Sequence, residues 1–178
     1  GLAKFDRKGF KNYTVEDGLP GNVFNYNSFY KDSKGELFFG GYSGLLSFFP
    51  EQIKENKRIP KVIFTRLRLF NKTVAIGDES KLLKKNISLT DEITFSHAQN
   101  IFSIEFAVLN YIKAEKNQYA YKLEGLDKEW NYVKSPIATF YNLPPGTYKL
   151  LIKGSNNDGL WTSHPQQMTI HITPPFWK

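Results

Sequence analysis

Asn142-Leu143-Pro144-Pro145-Gly146-Thr147-Tyr148-Lys149-Leu150-Leu151-Ile152-Lys153-Gly154-Ser155-Asn156-Asn157-Asp158-Gly159 writes a turn, a strand and a second turn in succession. Pro144-Pro145-Gly146 combines a fixed φ with a residue that tolerates positive φ, as a tight turn requires. Tyr148, Leu150 and Ile152 alternate with Lys149, Leu151 and Lys153, which predicts a strand with one buried face. Asp158-Gly159 is a turn signal. A Pro-Gly-Thr-Tyr corner leading into a late strand is how many immunoglobulin-like sandwiches fix that corner, through the tyrosine hydroxyl. The stretch therefore predicts a β-sandwich and no catalytic centre.

Strand signals recur from Lys61 onward at sandwich spacing. Val62 to Phe70 is the first, with Ile63, Leu67 and Leu69 expected on one face and Arg66 and Arg68 on the other. Ile87, Leu89, Ile93 and Phe95 alternate in a region that a turn at Thr90-Asp91 divides into two short strands. Phe102, Ile104, Phe106 and Val108 alternate, as do Tyr119, Tyr121 and Leu123. Trp130 to Val133 and Ala138 to Tyr141 are short, and Met168, Ile170 and Ile172 close the series. Seven or eight strands in this rhythm suit an immunoglobulin- or fibronectin-like sandwich in an all-β chain. Its expected structural core includes Phe106, Tyr121, Trp130 and Tyr148.

The first part of the chain reads differently. Asp17-Gly18-Leu19-Pro20-Gly21-Asn22 is a turn cluster, Val23 to Tyr30 is strand-like, and Asp32-Ser33-Lys34-Gly35 turns again. Glu36 to Gly40 and Leu45 to Phe49 are strands around the turn Gly41-Tyr42-Ser43-Gly44. Short, evenly spaced strands with glycine punctuation are the pattern of one β-propeller blade. One blade of this size buries too little surface to stand alone. The expected domains are residues 1–52 as a last blade of an incomplete array, 53–60 as linker, 61–175 as sandwich and 176–178 as a juxtamembrane end. Pro50-Glu51-Gln52 reads as one helical turn with proline at its first position. Gly1 is not a natural start, so the sequence reads as a piece of something longer.

Composition narrows the functional classes. Of 178 residues, 40% are hydrophobic and 16% aromatic, as suits a folded chain, and there is no cysteine. Disulfides, thiolate metal sites and a cysteine nucleophile are thereby excluded. The net charge of +7 raises the question of nucleic acid. The basic residues are dispersed, however: nine against seven acids in residues 1–58, and fifteen against ten in 59–178. Lys81, Lys84 and Lys85 form the nearest thing to a cluster, and they read as a solvated loop. No nucleic-acid partner is expected.

Catalytic and metal motifs are missing. His97, His164 and His171 have no metal-ligand spacing and no acid cluster beside them, so no metal, cofactor or catalytic residue is assigned. Asp127 and Glu129 lie in an Asp-Lys-Glu turn, where carboxylates are usually solvated, not facing each other across a glycosidase cleft. Asn12, Asn71 and Asn86 begin Asn-x-Ser/Thr sequons, which matter only where the source glycosylates. Tyr119, Tyr121, Trp130, Tyr132, Phe140, Tyr141 and Tyr148 crowd together. Exposed, they would offer a stacking platform for sugars or bases; alternating in strands, they default to core packing, with Tyr132 and Tyr141 the least settled. Pro174-Pro175 stop the last strand. Phe176-Trp177-Lys178 suits a membrane edge or a loose tail equally well.

Together these residues resemble a known pairing. Asp17-Gly18-Leu19-Pro20-Gly21-Asn22-Val23, followed by Asp32-x-x-Gly35-Glu36-Leu37-Phe38-Phe39-Gly40-Gly41-x-x-Gly44-Leu45, is similar to the last repeat of two-component regulator propellers. Gln99-Asn100-x-Phe102-Ser103-Ile104-Glu105-Phe106-Ala107 resembles the Y_Y_Y domain. So do Tyr119-Ala120-Tyr121-Lys122-Leu123-Glu124-Gly125-Leu126-Asp127-x-x-Trp130, Asn142 to Tyr148, and Pro174-Pro175-Phe176-Trp177. Phe140 departs from the pattern, where an aromatic with a hydroxyl is common. The resemblance implies the periplasmic part of a hybrid two-component sensor that responds to glycan-derived oligosaccharides. It implies a homodimer, sugar bound mainly by absent upstream propellers, and a downstream membrane helix, kinase and output domains. Pro174, Pro175, Phe176 and Trp177 would then relay the signal at the membrane, with the ligand-binding residues unknown. The alternative is a carbohydrate-binding sandwich of a secreted glycan-degrading enzyme, using exposed Trp130, Tyr132 and Tyr141.

Overall fold

A computed structural model describes residues 1–7 and 9–175 and divides the chain into two compact units, Gly1–Glu55 and Asn56–Lys178. In the first unit, β1 (Leu2–Phe5) and β2 (Phe10–Tyr13) form an antiparallel pair. β3 (Phe24–Lys31), β4 (Leu37–Gly41) and β5 (Gly44–Phe48) form a three-stranded antiparallel meander. The Asp32 side chain accepts from the Lys34 and Glu36 amides at 2.9 and 2.8 Å and so closes the β3–β4 turn. A 3₁₀ turn at Pro50–Gln52 follows, with the proline at its first position.

The second unit is two stacked sheets. One has four strands in the order β12-β9-β6-β7, where β6 is Val62–Leu69, β7 Lys72–Thr73, β9 Ile101–Val108 and β12 Ile137–Tyr141. The other has five in the order β11-β10-β13-β14-β8: β8 is Glu92–Phe95, β10 Tyr119–Glu124, β11 Asn131–Val133, β13 Gly146–Gly154 and β14 Gln166–Ile172. Every pairing is antiparallel except β14 with β8. The inward faces interdigitate: Phe64, Leu67, Phe102, Ile104 and Phe106 from one sheet meet Ile93, Phe95, Leu123, Leu150, Ile152 and Ile170 from the other, all essentially without solvent contact. Phe95 and Phe102 stack across the layers with ring centroids 3.9 Å apart. At Gly154 the sheets approach closely: a Cβ there would stand 2.1 Å from Val108 Cγ2.

Two of the strand expectations need correction. Ile63 does not share a face with Leu67 and Leu69. The β6–β9 register shifts between Phe64 and Arg66, so Thr65 is an extra residue and the alternation changes phase there. Val62 and Phe64 point inward before the bulge, Leu67 after it, and Ile63 is left partly exposed. Residues 87–89 are not a strand either. Ile87–Leu89 is a 3₁₀ turn whose Asn86 cap accepts from the Ser88 amide at 2.9 Å; Ile87 is buried and Leu89 exposed. Phe140, the departure from the family pattern, is buried against Phe102 and Tyr121, so its missing hydroxyl leaves no polar group unpaired.

Candidate functional site

β13 is the longest strand of the second unit, and its two ends organise two different constructions. Nine residues of strand span roughly 25 Å. At its C-terminal end the chain arrives from residue 56; beside its N-terminal end the chain leaves through β14.

The inlet end is built from asparagines. Asn156, fully buried, donates from its amide nitrogen to the carbonyls of Asn56 (2.6 Å) and Arg58 (3.0 Å). Its side-chain oxygen accepts from the amides of Asp158 and Leu160, both at 2.9 Å. The second pair of bonds holds the turn that Asp158-Gly159 signals, with Gly159 at φ +79°; at the other turn the positive φ expected of Gly146 falls instead on Asn142, at φ +49°. Asn56 donates to Asn157 Oδ1 (2.8 Å) and Asn110 Oδ1 (3.0 Å), and Asn110 donates to buried Asn117 (2.8 Å). The Leu109 amide bonds the Lys61 carbonyl at 2.8 Å. A side-chain amide satisfies donors and acceptors at once, so five asparagines, joined by the Asp158 carboxylate that accepts from the Asn56 amide at 2.5 Å, tie segment 56–61 to two loops. In the sequence, Ser155-Asn156-Asn157 signals only a turn. The feature that exposes its second role, complete burial of a polar residue, exists only in the fold.

The outlet end carries the tyrosine corner. The Tyr148 hydroxyl donates to the Pro144 carbonyl at 2.9 Å, and the ring is buried between the sheets. Gly146 pairs with Ile172, the last residue of β14, so this corner stands directly beside the exit. Beyond β14, the Thr173 amide donates to the Phe95 carbonyl at 2.9 Å, which keeps the chain on the β8 edge for one further residue. Thr173 and Pro174 are exposed and Pro175 is half-buried. Of the four residues expected to relay a signal, Pro174 and Pro175 lie at this end; Phe176 and Trp177 lie outside the described residues.

Phe106 and Tyr148 are core residues. Tyr121 is half-buried and packs against the core, its ring edge-on to Phe140 at 6.0 Å. Burial raises its pKa above the usual 10.0, and the charge of Asp127 adds to the effect. Trp130 is not in the core. It lies half-buried against Lys153, whose Nζ is 4.1 Å from the ring centroid. Lys153 belongs to the outward series of β13, with Lys149 and Leu151, so what it touches is outside the sandwich.

Tyr132 and Tyr141 are each 65% exposed, but Tyr132 is on β11 of the five-stranded sheet and Tyr141 on β12 of the four-stranded one. Trp130 and Tyr132 meet around Lys153, but Tyr141 stands on the other sheet, so the three residues do not form one stacking platform. Asp127 is engaged in local structure, accepting from the Leu123 amide (2.8 Å) and from Asn131 (2.9 Å). His171 stands between Thr147 (3.0 Å) and Glu92 (3.6 Å). Among the described residues no three His, Asp or Glu side chains form a metal cluster, and no helix is long and apolar enough to cross a membrane.

Comparison with known proteins adds an independent line. Residues 110–173 match the Y_Y_Y domain family. The whole chain is 36% identical, over 180 aligned positions, to histidine kinase P4 of Formosa agariphila, of whose length it spans 13%. Among solved structures it is similar to the extracellular domain of a hybrid two-component system from B. thetaiotaomicron. That match has a TM-score of 0.74 and 29% identity over 93% of this chain and 22% of that one. A second such domain from the same organism aligns with a TM-score of 0.59 and 27% identity, over 99% of this chain and 23% of that one. Along its length the chain is thus similar to the extracellular regions of such sensors.

Proposed function

We propose, for a chain that carries a Y_Y_Y domain and is related along its whole length to sensors of two-component systems, that it is the periplasmic relay of a hybrid sensor kinase anchored in the inner membrane. In this reading glycan-derived oligosaccharides are held mainly by propeller blades upstream, of which residues 1–52 are the last. The sandwich passes the resulting displacement to a transmembrane helix and kinase downstream. Two copies act together as a homodimer, so that a change in the separation or twist of the Pro174–Trp177 segments is what the membrane helices register. Ligand drives such a change only by binding the two arrangements with different affinity.

The observation that carries the reading is the arrangement around β13. The inlet and the outlet lie at opposite ends of one packed sandwich, joined by a strand that borders both. A close-packed sandwich is stiff, so displacement of the inlet is transmitted to the outlet as rigid-body motion. Pro174-Pro175 suits the same purpose, because consecutive prolines continue a chain direction without free rotation about φ. Of the three residues that the exposed-platform alternative needs, Tyr141 stands on a different sheet from Tyr132, while Trp130 lies beside Tyr132.

The test uses the full-length receptor and a reporter of its output. Inserting Gly-Ser-Gly-Ser after Pro175 is expected to leave oligosaccharide binding unchanged and to abolish induction. Induction at the parental level with that insert would overturn a mechanical relay.

A further inference from the structure

The outer face of the five-stranded sheet holds a cluster that the relay does not use. Across β11, β10 and β13, Tyr132, Ala120 and Lys153 form one row on the outward side. Ala120 has no solvent contact although its side chain points out of the sandwich, so the larger side chains around it close over it. The Lys153 ammonium sits among three rings: 4.1 Å from the centroid of Trp130, 5.1 Å from Trp161 and 5.2 Å from Tyr132. Tyr132 and Trp161 meet edge to face at 5.6 Å. The isolated bridge between Ser155 and Trp161 brings that tryptophan to the end of β13.

Lys153 differs from its neighbour on the same face. Lys149 stands opposite Glu124 in the β10–β13 register, whereas Lys153 stands opposite Ala120. Its one hydrogen bond in the structure is to the Tyr132 hydroxyl, at 3.3 Å, and no carboxylate of the described residues lies within salt-bridge reach of it. An ammonium has three donors. Here the aromatic rings hold it in place, so the rotamer entropy that a free lysine loses on binding an anion is already lost. Beside it Tyr132 is largely exposed, and an open cavity of about 480 Å³ adjoins that ring; Glu115, Gln118, Tyr119 and Lys134 are among its lining residues, while Lys153, Trp130 and Trp161 stand outside it. A fixed cation beside an exposed ring is the chemistry that recognises a sugar ring bearing an acidic group.

We propose that the Trp130–Tyr132–Lys153–Trp161 cluster binds an anionic saccharide, with Lys153 on its carboxylate or sulfate and Tyr132 against the sugar ring. The site lies on the sandwich itself, and its existence does not depend on the relay reading, in which the sugar is held upstream.

The experiment titrates the 178-residue chain by calorimetry and tryptophan fluorescence. The probes are a uronic-acid disaccharide, a sulfated disaccharide, the neutral disaccharide, sodium sulfate and a hexaglutamate peptide. At least one acidic disaccharide is expected to bind about tenfold or more tightly than the neutral one and than sulfate, and to weaken as salt rises. Lys153→Met and Tyr132→Ala are each expected to weaken it about tenfold or more, while Lys149→Met, which changes the net charge equally, leaves it unchanged. Tyr132→Ala at an exposed position keeps the test valid if Lys153→Met fails to fold. Equal binding of the neutral sugar, equal binding of sulfate alone, tighter binding of the peptide, an equal loss in Lys149→Met, or no binding at all would each overturn the proposal.

Discussion

The two units obey the same strand grammar and differ in what their strands lie against. Every buried apolar residue belongs to residues 56–178; among the described residues of 1–55 none is buried, and Tyr26, Phe29, Tyr30 and Tyr42 are largely exposed. Hydrogen bonding is not the distinction, since β4 pairs with β5 at every residue from Leu37 to Gly41 and with β3 as well, across one register shift between Phe24 and Phe29. A single sheet leaves both of its faces to water, and ladder bonds, which water also offers to an unfolded strand, contribute little net free energy. Two sheets facing each other remove large side chains from water, and that removal is the main driving force for folding. The contrast teaches that the sheet is the common element and the second layer is what makes it a stable unit.

A pair of alanine substitutions strikes at that contrast most directly. Phe102 is buried between the layers and stacks on Phe95, so Phe102→Ala is expected to cost about 3–5 kcal/mol in urea denaturation. Phe29 is 71% exposed on β3, and Phe29→Ala is expected to change stability by less than about 0.5 kcal/mol. Comparable losses in the two variants would show that residues 1–55 possess a core of their own, and the distinction drawn above would fail.

How far the sequence foretold each region follows the same physics. The tyrosine corner was legible because one local pattern, Pro-Pro-Gly-Thr-Tyr, determines it, and the inward series Tyr148, Leu150, Ile152 because it alternates without interruption. The face assignment of Ile63 failed because a bulge is a property of two strands. Nothing in Val62 to Leu69 alone announces that Thr65 is skipped by its partner. Trp130 was misplaced for a related reason: hydrophobicity predicts burial, but an indole also finds a partner on the outer face in a lysine ammonium lying over its ring. The asparagines at the inlet stand far apart in sequence, at 56, 110, 117, 156 and 157, and only the fold makes them neighbours. The candidate site was thus legible at its outlet end and hidden at its inlet end, since one rests on contacts four residues apart and the other on contacts about a hundred apart.

The corner itself sharpens the comparison at finer grain, because a hydroxyl is removed while the buried ring stays. Tyr148→Phe deletes only the bond to the Pro144 carbonyl. Since Pro144 is exposed and water can replace the lost donor, the expected cost is about 1 kcal/mol, read as a shift in urea midpoint with unchanged m-value. A loss as large as that of Phe102→Ala would mean that the corner, not the layer contact, holds the outlet together.

The smallest effect expected is electrostatic, and it too depends on there being two layers. Tyr121 lies half-buried beside Phe140, where burial disfavours the phenolate and the Asp127 charge disfavours it further, so its pKa is raised in the folded protein. A raised folded-state pKa means that the folded chain keeps its proton at pH values where the unfolded chain has released it. The associated stability is therefore complete below the unfolded value near 10 and is lost as pH rises through the folded one. Tyr121→Phe has no proton to lose and should flatten the decline in stability above pH 10 while changing little at pH 7. Equal slopes in the parent and in Tyr121→Phe would show that the inner edge of β10 is wetter than its packing against Phe140 implies.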